Sequence, residues 1–263
     1  MTKLLTEQEL FPISIKELIE KQELIGIRLS GGTDSAVLLL TVLETFPDAK
    51  ILLITLFNVL RPNALLAIKN IIDYANKKFP DRIIGHEIQY FDSTNYNPIN
   101  SSACADNPKD ILQKEFIPSL FKKYKGKLKF LLAGTTLNPP IDTQKTFRLY
   151  PGKDFMESRN HKVSSLLKTF KLPGNEAELA YEYSPFRNST KQIVAEWAKE
   201  LGLVESLVPL TESCETPVDK YTKYAAWLSK SYEKPSIEPC QVCWPCNEKY
   251  WAYGFFDYKT PMK

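Results

Sequence analysis

The sequence has few histidines, no long apolar stretch and little excess of charge. Its 263 residues include only two histidines, His86 and His161. No run approaches the roughly 18 apolar residues that cross a membrane. The histidines show no spacing typical of a catalytic or metal-binding pair, so we interpret both as structural. Because segment 1–23 lacks the basic and apolar regions of a signal peptide, we expect a cytoplasmic protein with no membrane partner.

The balance of charges does not indicate a nucleic-acid-binding surface. The 34 basic and 31 acidic side chains give a net charge of +3, whereas such surfaces concentrate positive charge. One basic cluster comprises Lys122, Lys123, Lys125, Lys127 and Lys129. We interpret it as the solvated end of a helix and the start of the next strand, with an RNA or phosphate contact as the alternative. A nucleic-acid partner is therefore not expected.

Short apolar runs alternate with helical patterns through the first half of the chain. The predicted strands are 24–29, 50–57, 82–89 and 127–135, and the predicted helices are 33–46, 63–78 and 108–124. This alternation is typical of an α/β fold with a doubly wound parallel sheet, which binds ligands at the carboxyl ends of its strands.

The second half of the chain is less regular. The stretch 136–173 is polar and rich in proline, and it is longer than an ordinary connection, so we predict a lid or substrate loop there. A further helix is predicted to begin near Ser189 and to end at Gly202. Another helical pattern spans 219–232.

The segment SGGTDS, residues 30–35, follows the first predicted strand and opens the first predicted helix. A helix start presents unpaired amide groups and the positive end of the helix dipole, and glycines allow an anion to approach them. We therefore predict a phosphate site. Its expected ligands are Ser30, Gly31, Gly32, Thr33 and Ser35. Asp34 suits such a site only if it meets Mg²⁺, a helix cap or an amine.

This segment resembles the SGGxDS signature of the PP-loop ATP pyrophosphatases. The lysine-containing P-loop motif is missing from it, and the three-glycine dinucleotide fingerprint does not align with it. The resemblance implies that the loop holds the pyrophosphate end of ATP while AMP is transferred to an oxygen of the substrate.

Four of the five cysteines belong to the C-terminal part of the chain. Cys240, Cys243 and Cys246 follow one another at two-residue gaps, and Cys214 precedes them. Four soft ligands suit a structural, tetrahedral Zn²⁺ site. The alternative is a set of buried free thiols, since disulfides are not expected in a cytosolic enzyme. Cys104 is interpreted as an ordinary thiol.

Together these motifs are similar to those of the 7-cyano-7-deazaguanine synthase (QueC) family of PP-loop enzymes. In that family a helix with a Ser-Lys-x-x-Ile-Val pattern precedes the first zinc cysteine, as residues 189–194 precede Ser213 and Cys214 here. The resemblance adds Gly134, which follows the fourth strand, to the nucleotide site. It assigns catalytic roles to Asp34, Lys191 and Arg61, with Asp142 as a weaker candidate.

The resemblance implies an ATP-dependent ligase that requires Mg²⁺. The carboxylate of 7-carboxy-7-deazaguanine attacks the α-phosphorus of ATP, pyrophosphate leaves, and an amine then displaces AMP to form an amide. The amine is ammonia in the founding members, where a second ATP converts the amide into a nitrile. The implied organisation is a PP-loop ATP-binding domain at 1–206, with the lid at 136–173, and a zinc-binding helical extension at 207–263.

The sequence departs from the family pattern around the substrate. The family's Tyr-Gly-Gln-Arg-His-like stretch reads FNVLRP at residues 57–62, and the insertion 215–239 separates the first two cysteines. We therefore keep three alternatives: conjugation of the deazaguanine to a protein amine in antiphage defence, a PP-loop tRNA-modifying enzyme with an iron–sulfur cluster, and a partner-binding subunit with a vestigial nucleotide site. The C-terminal aromatic residues are predicted to pack onto the main domain or to form a homodimer contact.

Overall fold

A mostly parallel sheet organises the part of the chain that the computed structural model describes, residues 5–59, 61–91, 115–147, 167–172, 175–214, 239, 241 and 243–257. The strands are β1 (Leu24–Arg28), β2 (Ile51–Asn58), β3 (Ile83–Phe91), β4 (Leu128–Ala133), β5 (Leu167–Leu172) and β6 (Asn175–Tyr183). Within these residues they form one sheet in the order β3-β2-β1-β4-β6-β5. All neighbours are parallel except β5 and β6, which pair antiparallel.

Helices connect the strands and cover both faces of the sheet. They are α1 (Glu7–Leu10), α2 (Ile13–Glu20), α3 (Thr33–Thr45), α4 (Pro62–Lys78), α5 (Ile117–Lys123), α6 (Ile141–Lys145), α7 (Lys191–Glu200) and α8 (Trp244–Tyr253), with a 3₁₀ turn at Val208–Leu210. The order of strands reverses between β1 and β4, and in such sheets a ligand crevice opens at the carboxyl ends of the two strands. Among the described residues, no helix combines the length and apolar character that crossing a membrane requires.

The main core lies between α3 and the sheet. Nine consecutive residues of this helix, 35–43, are buried, because apolar side chains occupy all of its sides and neighbouring elements cover them. Trp197 of α7 donates a hydrogen bond through Nε1 to Thr41 Oγ1 at 3.0 Å, which fixes α7 beside α3. A smaller core on the opposite face of the sheet packs Leu52 and Leu131 against Phe121 of α5. The two cores hold the crevice ends of β1 and β4 in place.

The structure confirms the predicted mostly parallel α/β fold. Up to residue 135 the predicted strands and helices are present, and their ends agree with the prediction to within a few residues, except that α5 begins at Ile117. Residues 108–114 and the predicted helix 219–232 lie outside the described residues. His86 lies on β3, 2.8 Å from Thr55 Oγ1, and burial lowers the pKa of its imidazole. His161 is outside the described residues.

The sequence analysis missed strands β5 and β6. Glu182, the last residue but one of β6, obscured the apolar pattern of a buried strand, and this carboxylate is buried beside Arg28 at 3.3 Å and Lys168 at 3.7 Å. Strand β5 belongs to the stretch for which we expected only a lid. Residues 148–166 of that stretch are outside the described part, so its role as a lid stays a prediction.

We expect Phe130→Ala to lower the free energy of unfolding by about 3–5 kcal/mol, because it leaves a cavity in the sheet core. Phe130 of β4 is fully buried. Urea denaturation would measure the change, with Lys127→Ala, at the exposed position just before the same strand, as the control. A loss no larger than that of the control would contradict this view of the core.

Candidate functional site

A cavity of about 250 Å³ opens where β1 and β4 end. Its lining comes from the loop after β1, the first turn of α3, the residues after β4, the start of α7, the segment 212–213 and α8. The residues predicted for this site that line the cavity are Ser30, Gly32, Thr33, Asp34, Ser35, Arg61, Gly134 and Lys191. The fold therefore brings together side chains that are far apart in the sequence.

The glycines give the loop its shape. Gly31 has a φ of +82°, and a Cβ atom there would lie 2.9 Å from the carbonyl oxygen of Ala64. Gly32 is the N-cap of α3 and is extended, and no side chain within the described residues caps the helix. The amides of the first turn of α3 are thus left for a ligand at the positive end of the helix dipole, which is the physical basis of an anion site.

The loop hydroxyls hold this shape. Ser30 accepts a hydrogen bond from the Gly32 amide at 3.3 Å, and Ser35 accepts one from the Ser30 amide at 3.2 Å. Ser35 also donates to the Gly32 carbonyl at 3.0 Å. The Thr33 hydroxyl, which we expected to bind phosphate, lies 2.9 Å from Thr211 Oγ1 and ties the loop to the segment before Cys214.

Gly134 allows the end of β4 to pack directly on α3. A Cβ atom at this position would lie 2.8 Å from the carbonyl carbon of Asp34 and 2.9 Å from the Ser35 amide nitrogen. These are backbone atoms, which cannot turn aside as the end of a side chain can. Gly134 is therefore required by close packing beside the anion site.

Lys191 lies between two carboxylates at the cavity wall. Its Nζ is 3.1 Å from Asp34 Oδ2 and 3.4 Å from Glu248 Oε2, and its side chain is only 6% exposed. Burial on its own lowers the pKa of this ammonium, but the two carboxylates outweigh burial and raise the pKa above its ordinary value. Lys191 is consequently a fixed positive charge beside the anion site.

Asp34 keeps one oxygen available. Its Oδ1 atom is buried and has no hydrogen-bond partner among the described residues. An orphaned carboxylate oxygen at a cavity wall fits the hard oxygen ligand that Mg²⁺ prefers. Asp34 therefore suits both of the contacts expected of it, an amine through Oδ2 and a magnesium ion through Oδ1.

The structure places Arg61 and Asp142 differently. Arg61 lines the cavity from the start of α4. Asp142 lies on α6, its side chain is 91% exposed, and it pairs with Lys145 at 2.9 Å. It does not line the cavity in this structure, so the geometry favours Arg61 of the two.

Three of the predicted metal ligands lie together. The sulfur atoms of Cys214, Cys243 and Cys246 are all within 4.8 Å of one another. Cys240 lies outside the described residues, as does Cys104. Hydrogen bonds that the Cys246 thiol donates to Cys214 and Cys243 raise its pKa, and burial raises it further, so we expect metal binding to release protons.

The spacing of the sulfurs allows one metal ion to bind all three of them. With Zn–S bonds of about 2.3 Å, tetrahedral geometry places thiolates about 3.8 Å apart. The thiolates of a four-iron cluster bind separate iron atoms and must lie further apart than ligands of a single ion. The cysteine geometry therefore fits a single tetrahedral ion such as Zn²⁺.

A buried ion pair supports the cysteine segment. Lys249 is fully buried and donates a 2.6 Å hydrogen bond to Asp257 Oδ1. The other oxygen of Asp257 accepts hydrogen bonds from the amides of Ser213 and Cys214, both at 2.8 Å. Burial lowers the pKa of the Lys249 ammonium, although Asp257 opposes the shift. The ion pair thereby fixes the backbone of the first cysteine.

The same segment contacts the loop. The Glu212 amide donates a 2.8 Å hydrogen bond to the Gly31 carbonyl, and Lys249 Nζ donates to Thr211 Oγ1 at 2.8 Å. Residues 211–214 thus run from the glycine loop to the cysteine cluster. The two sites predicted from separate motifs are neighbours in the fold.

Several residues of the site were missed by the sequence analysis. Glu212 and Glu248 line the cavity, and Lys249 and Asp257 support it. Tyr253 has a buried hydroxyl without a hydrogen-bond partner in the described part of the chain; burial, and then the charge of Asp34, raises its pKa well above the ordinary value. Nothing in the sequence marked these residues, because none of them belongs to the motifs from which the site was predicted.

The C-terminal aromatic residues pack around the cysteines. The rings of Tyr250 and Phe256 stack with centroids 4.9 Å apart, and Phe256 packs against Cys214 and Cys246. Trp244 packs edge-on against Phe147, also at 4.9 Å. This agrees with the predicted packing role. The homodimer contact stays a prediction.

Comparisons with known proteins give only distant likenesses. No protein-family model matches the sequence, and no curated protein matches it. The chain is similar to the U34-tRNA thiolase NcsA from Methanococcus maripaludis with its 4Fe-4S cluster, with a TM-score of 0.46 and 18% sequence identity. This likeness covers 74% of this chain and 62% of the thiolase. It is also similar to NAD+ synthetase from Burkholderia pseudomallei, with a TM-score of 0.40 and 13% sequence identity. This likeness covers 98% of this chain and 81% of the synthetase. The chain spans less than two thirds of the thiolase, and neither likeness is strong enough to assign a substrate.

We predict that Gly134→Ala lowers the free energy of unfolding by about 1–3 kcal/mol, because the new methyl group overlaps the backbone of α3. Gly85→Ala on the edge strand is the matched control, since its methyl would approach only a leucine side chain, at 3.1 Å. Chemical denaturation compares the two variants. An equal effect of both would mean that the end of β4 does not need a glycine.

We also predict that the purified protein is colourless and holds about one zinc ion per chain. Cys246→Ser should lose the metal, whereas Cys104→Ser should keep it. Metal analysis by mass spectrometry checks both variants. A brown protein that contains iron would contradict the assignment to zinc.

Proposed function

We propose that this protein binds ATP in the cavity and transfers AMP to a carboxylate oxygen, with release of pyrophosphate. One observation carries the proposal: the uncapped, glycine-built start of α3 faces the same cavity as the buried ammonium of Lys191. Amide groups and a fixed cation together favour a multiply charged anion. The resemblance of residues 30–35 to the PP-loop signature indicates that this anion is the pyrophosphate part of ATP.

The residues of the cavity have distinct tasks in such a reaction. The amides of residues 31–35 receive the pyrophosphate group, and Lys191 neutralises the charge that develops on it. Asp34 orients Lys191 through Oδ2 and offers Oδ1 to Mg²⁺, which supplies further charge neutralisation. The substrate carboxylate attacks the α-phosphorus, the bond to pyrophosphate breaks, and pyrophosphate leaves with the electron pair. A bound amine then displaces AMP.

We propose 7-carboxy-7-deazaguanine as the source of the carboxylate. The support is the ordered set of motifs that resembles the QueC family. Ser30 of the loop, Gly134 after β4, Lys191 at the start of α7 and Ser213 beside the first cysteine line the same cavity. The second substrate is ammonia or a protein amine; with ammonia, a second ATP could carry the amide on to a nitrile. Conjugation to a protein amine in antiphage defence is the alternative within this chemistry.

The location of the basic cluster argues against RNA as the substrate. Lys127 precedes β4 and Lys123 ends α5, so both lie at the amino end of a strand whose carboxyl end borders the cavity. Lys123 also pairs with Glu87 at 2.7 Å. Lys123 and Lys127 of this cluster therefore lie away from the cavity, where an RNA substrate would have to bind.

We expect ATP–pyrophosphate exchange that depends on 7-carboxy-7-deazaguanine. Incubation with Mg-ATP and ammonium, followed by mass spectrometry, should show AMP together with the amide or the nitrile. Candidate proteins in place of ammonium test the conjugating alternative. If no ATP–pyrophosphate exchange occurs with this acid or with related deazapurine acids, the proposed substrate is contradicted. If the protein does not bind Mg-ATP at all, only the partner-binding alternative is left.

Lys191→Met should reduce the exchange rate by about 100-fold or more, since it removes a preorganised charge from the leaving group. Lys199→Met, at an exposed position of the same helix, is the control and should retain the wild-type rate. Equal rates for the two variants would exclude Lys191 from the chemistry.

A further inference from the structure

One helix connects the cysteine cluster to the wall of the cavity. Cys243 is the N-cap of α8 and Cys246 belongs to its first turn. Two residues further on, Glu248 reaches Lys191 Nζ at 3.4 Å, and Lys191 reaches Asp34 at 3.1 Å. Both carboxylates and the ammonium line the cavity. One path from a cysteine to the cavity therefore runs through the Lys191 ammonium and its two carboxylates, beside the path along residues 211–214.

The two ends of α8 are held differently. At its C-terminal end, Gly254 closes the helix with a φ of 79°, and Lys249 is anchored to Asp257. At its N-terminal end, no side chain within the described residues caps the helix. A metal ion would fix this end, because it would bind Cys243 at the N-cap and Cys246 in the first turn. The position of the first turn, and hence of the Glu248 carboxylate, should therefore depend on the metal.

We infer that Glu248 is a positioning residue that couples metal binding at the cysteines to nucleotide binding in the cavity; the inference rests on the proposed binding of ATP. With the metal bound, Glu248 shares the Lys191 ammonium with Asp34 and keeps it at the cavity wall. Without the metal, the first turn of α8 loosens and Lys191 is left with Asp34 alone. The zinc site thus sets the affinity of the enzyme for ATP while taking no part in the chemistry.

Thermodynamic linkage makes this coupling measurable from either side. If zinc strengthens ATP binding, ATP must strengthen zinc binding by the same factor. The experiment partitions zinc at equilibrium between the intact protein and a chromogenic chelator, with and without Mg-ATP. Samples without protein correct for zinc that ATP itself binds. Calorimetry on the zinc-loaded protein measures ATP binding independently.

We expect Mg-ATP to raise the affinity for zinc about fivefold or more in the wild-type protein. Glu200→Gln, an exposed carboxylate of α7, should show the same gain. In Glu248→Gln the gain should fall below about twofold, because the link to Lys191 is weakened while the cysteines are intact. If that variant does not fold, hydrogen exchange of the wild-type protein replaces it, and ATP should then slow the exchange of the amides of residues 246–249.

The possible outcomes separate this inference from the proposed function. An unchanged zinc affinity in a protein that binds ATP would overturn the coupling alone, as would an undiminished gain in Glu248→Gln. If ATP leaves the hydrogen exchange of the α8 amides unaltered, the coupling alone is likewise overturned. A zinc-loaded wild-type protein that fails to bind ATP would overturn the proposed function, and the coupling with it.

Discussion

The buried ammonium of Lys191 is the interaction on which the architecture of the site depends. It starts α7, contacts Asp34 in the first turn of α3 and contacts Glu248 in α8, so three helices from distant parts of the sequence meet at one charge. Removing one partner of a buried ion pair leaves the other partner without compensation, at a cost of about 3–5 kcal/mol. The glycine loop, the helix that follows it and the C-terminal helix are therefore held in one arrangement.

The surroundings of this charge explain why the chain has glycine where it does. The amides at the start of α3 can face a ligand only if the loop turns through Gly31 and if β4 ends without a side chain at Gly134. The segment 211–214 then closes the loop from outside and continues into the cysteine cluster. A metal ion at the cysteines would stabilise the same wall of the cavity without approaching the reacting atoms. This arrangement separates the part of the protein that maintains the cavity from the part that would contact ATP in the proposed function.

Local patterns predicted much of the fold and roughly half of the site. Apolar runs and helix signals located β1 to β4 and the helices around them, and the composition of residues 30–35 pointed to the loop that lines the cavity. Strand β6 was missed because Glu182 satisfies its charge through Arg28, which is 154 residues away in the sequence, and through Lys168 on the neighbouring strand β5. Glu248 and Asp257 were missed for the same reason: each has its role only through a partner that the fold brings to it. The cysteine spacing, by contrast, is a local signal and pointed to the cluster directly.

A crystal structure of the zinc-loaded protein with a non-hydrolysable ATP analogue and Mg²⁺ would test the central claim most directly. We predict that the triphosphate lies against the amides of residues 31–35, that the Lys191 ammonium contacts it, and that Glu248 still contacts Lys191. A triphosphate bound elsewhere, or one bound at the loop with Lys191 turned away from it, would contradict the claim.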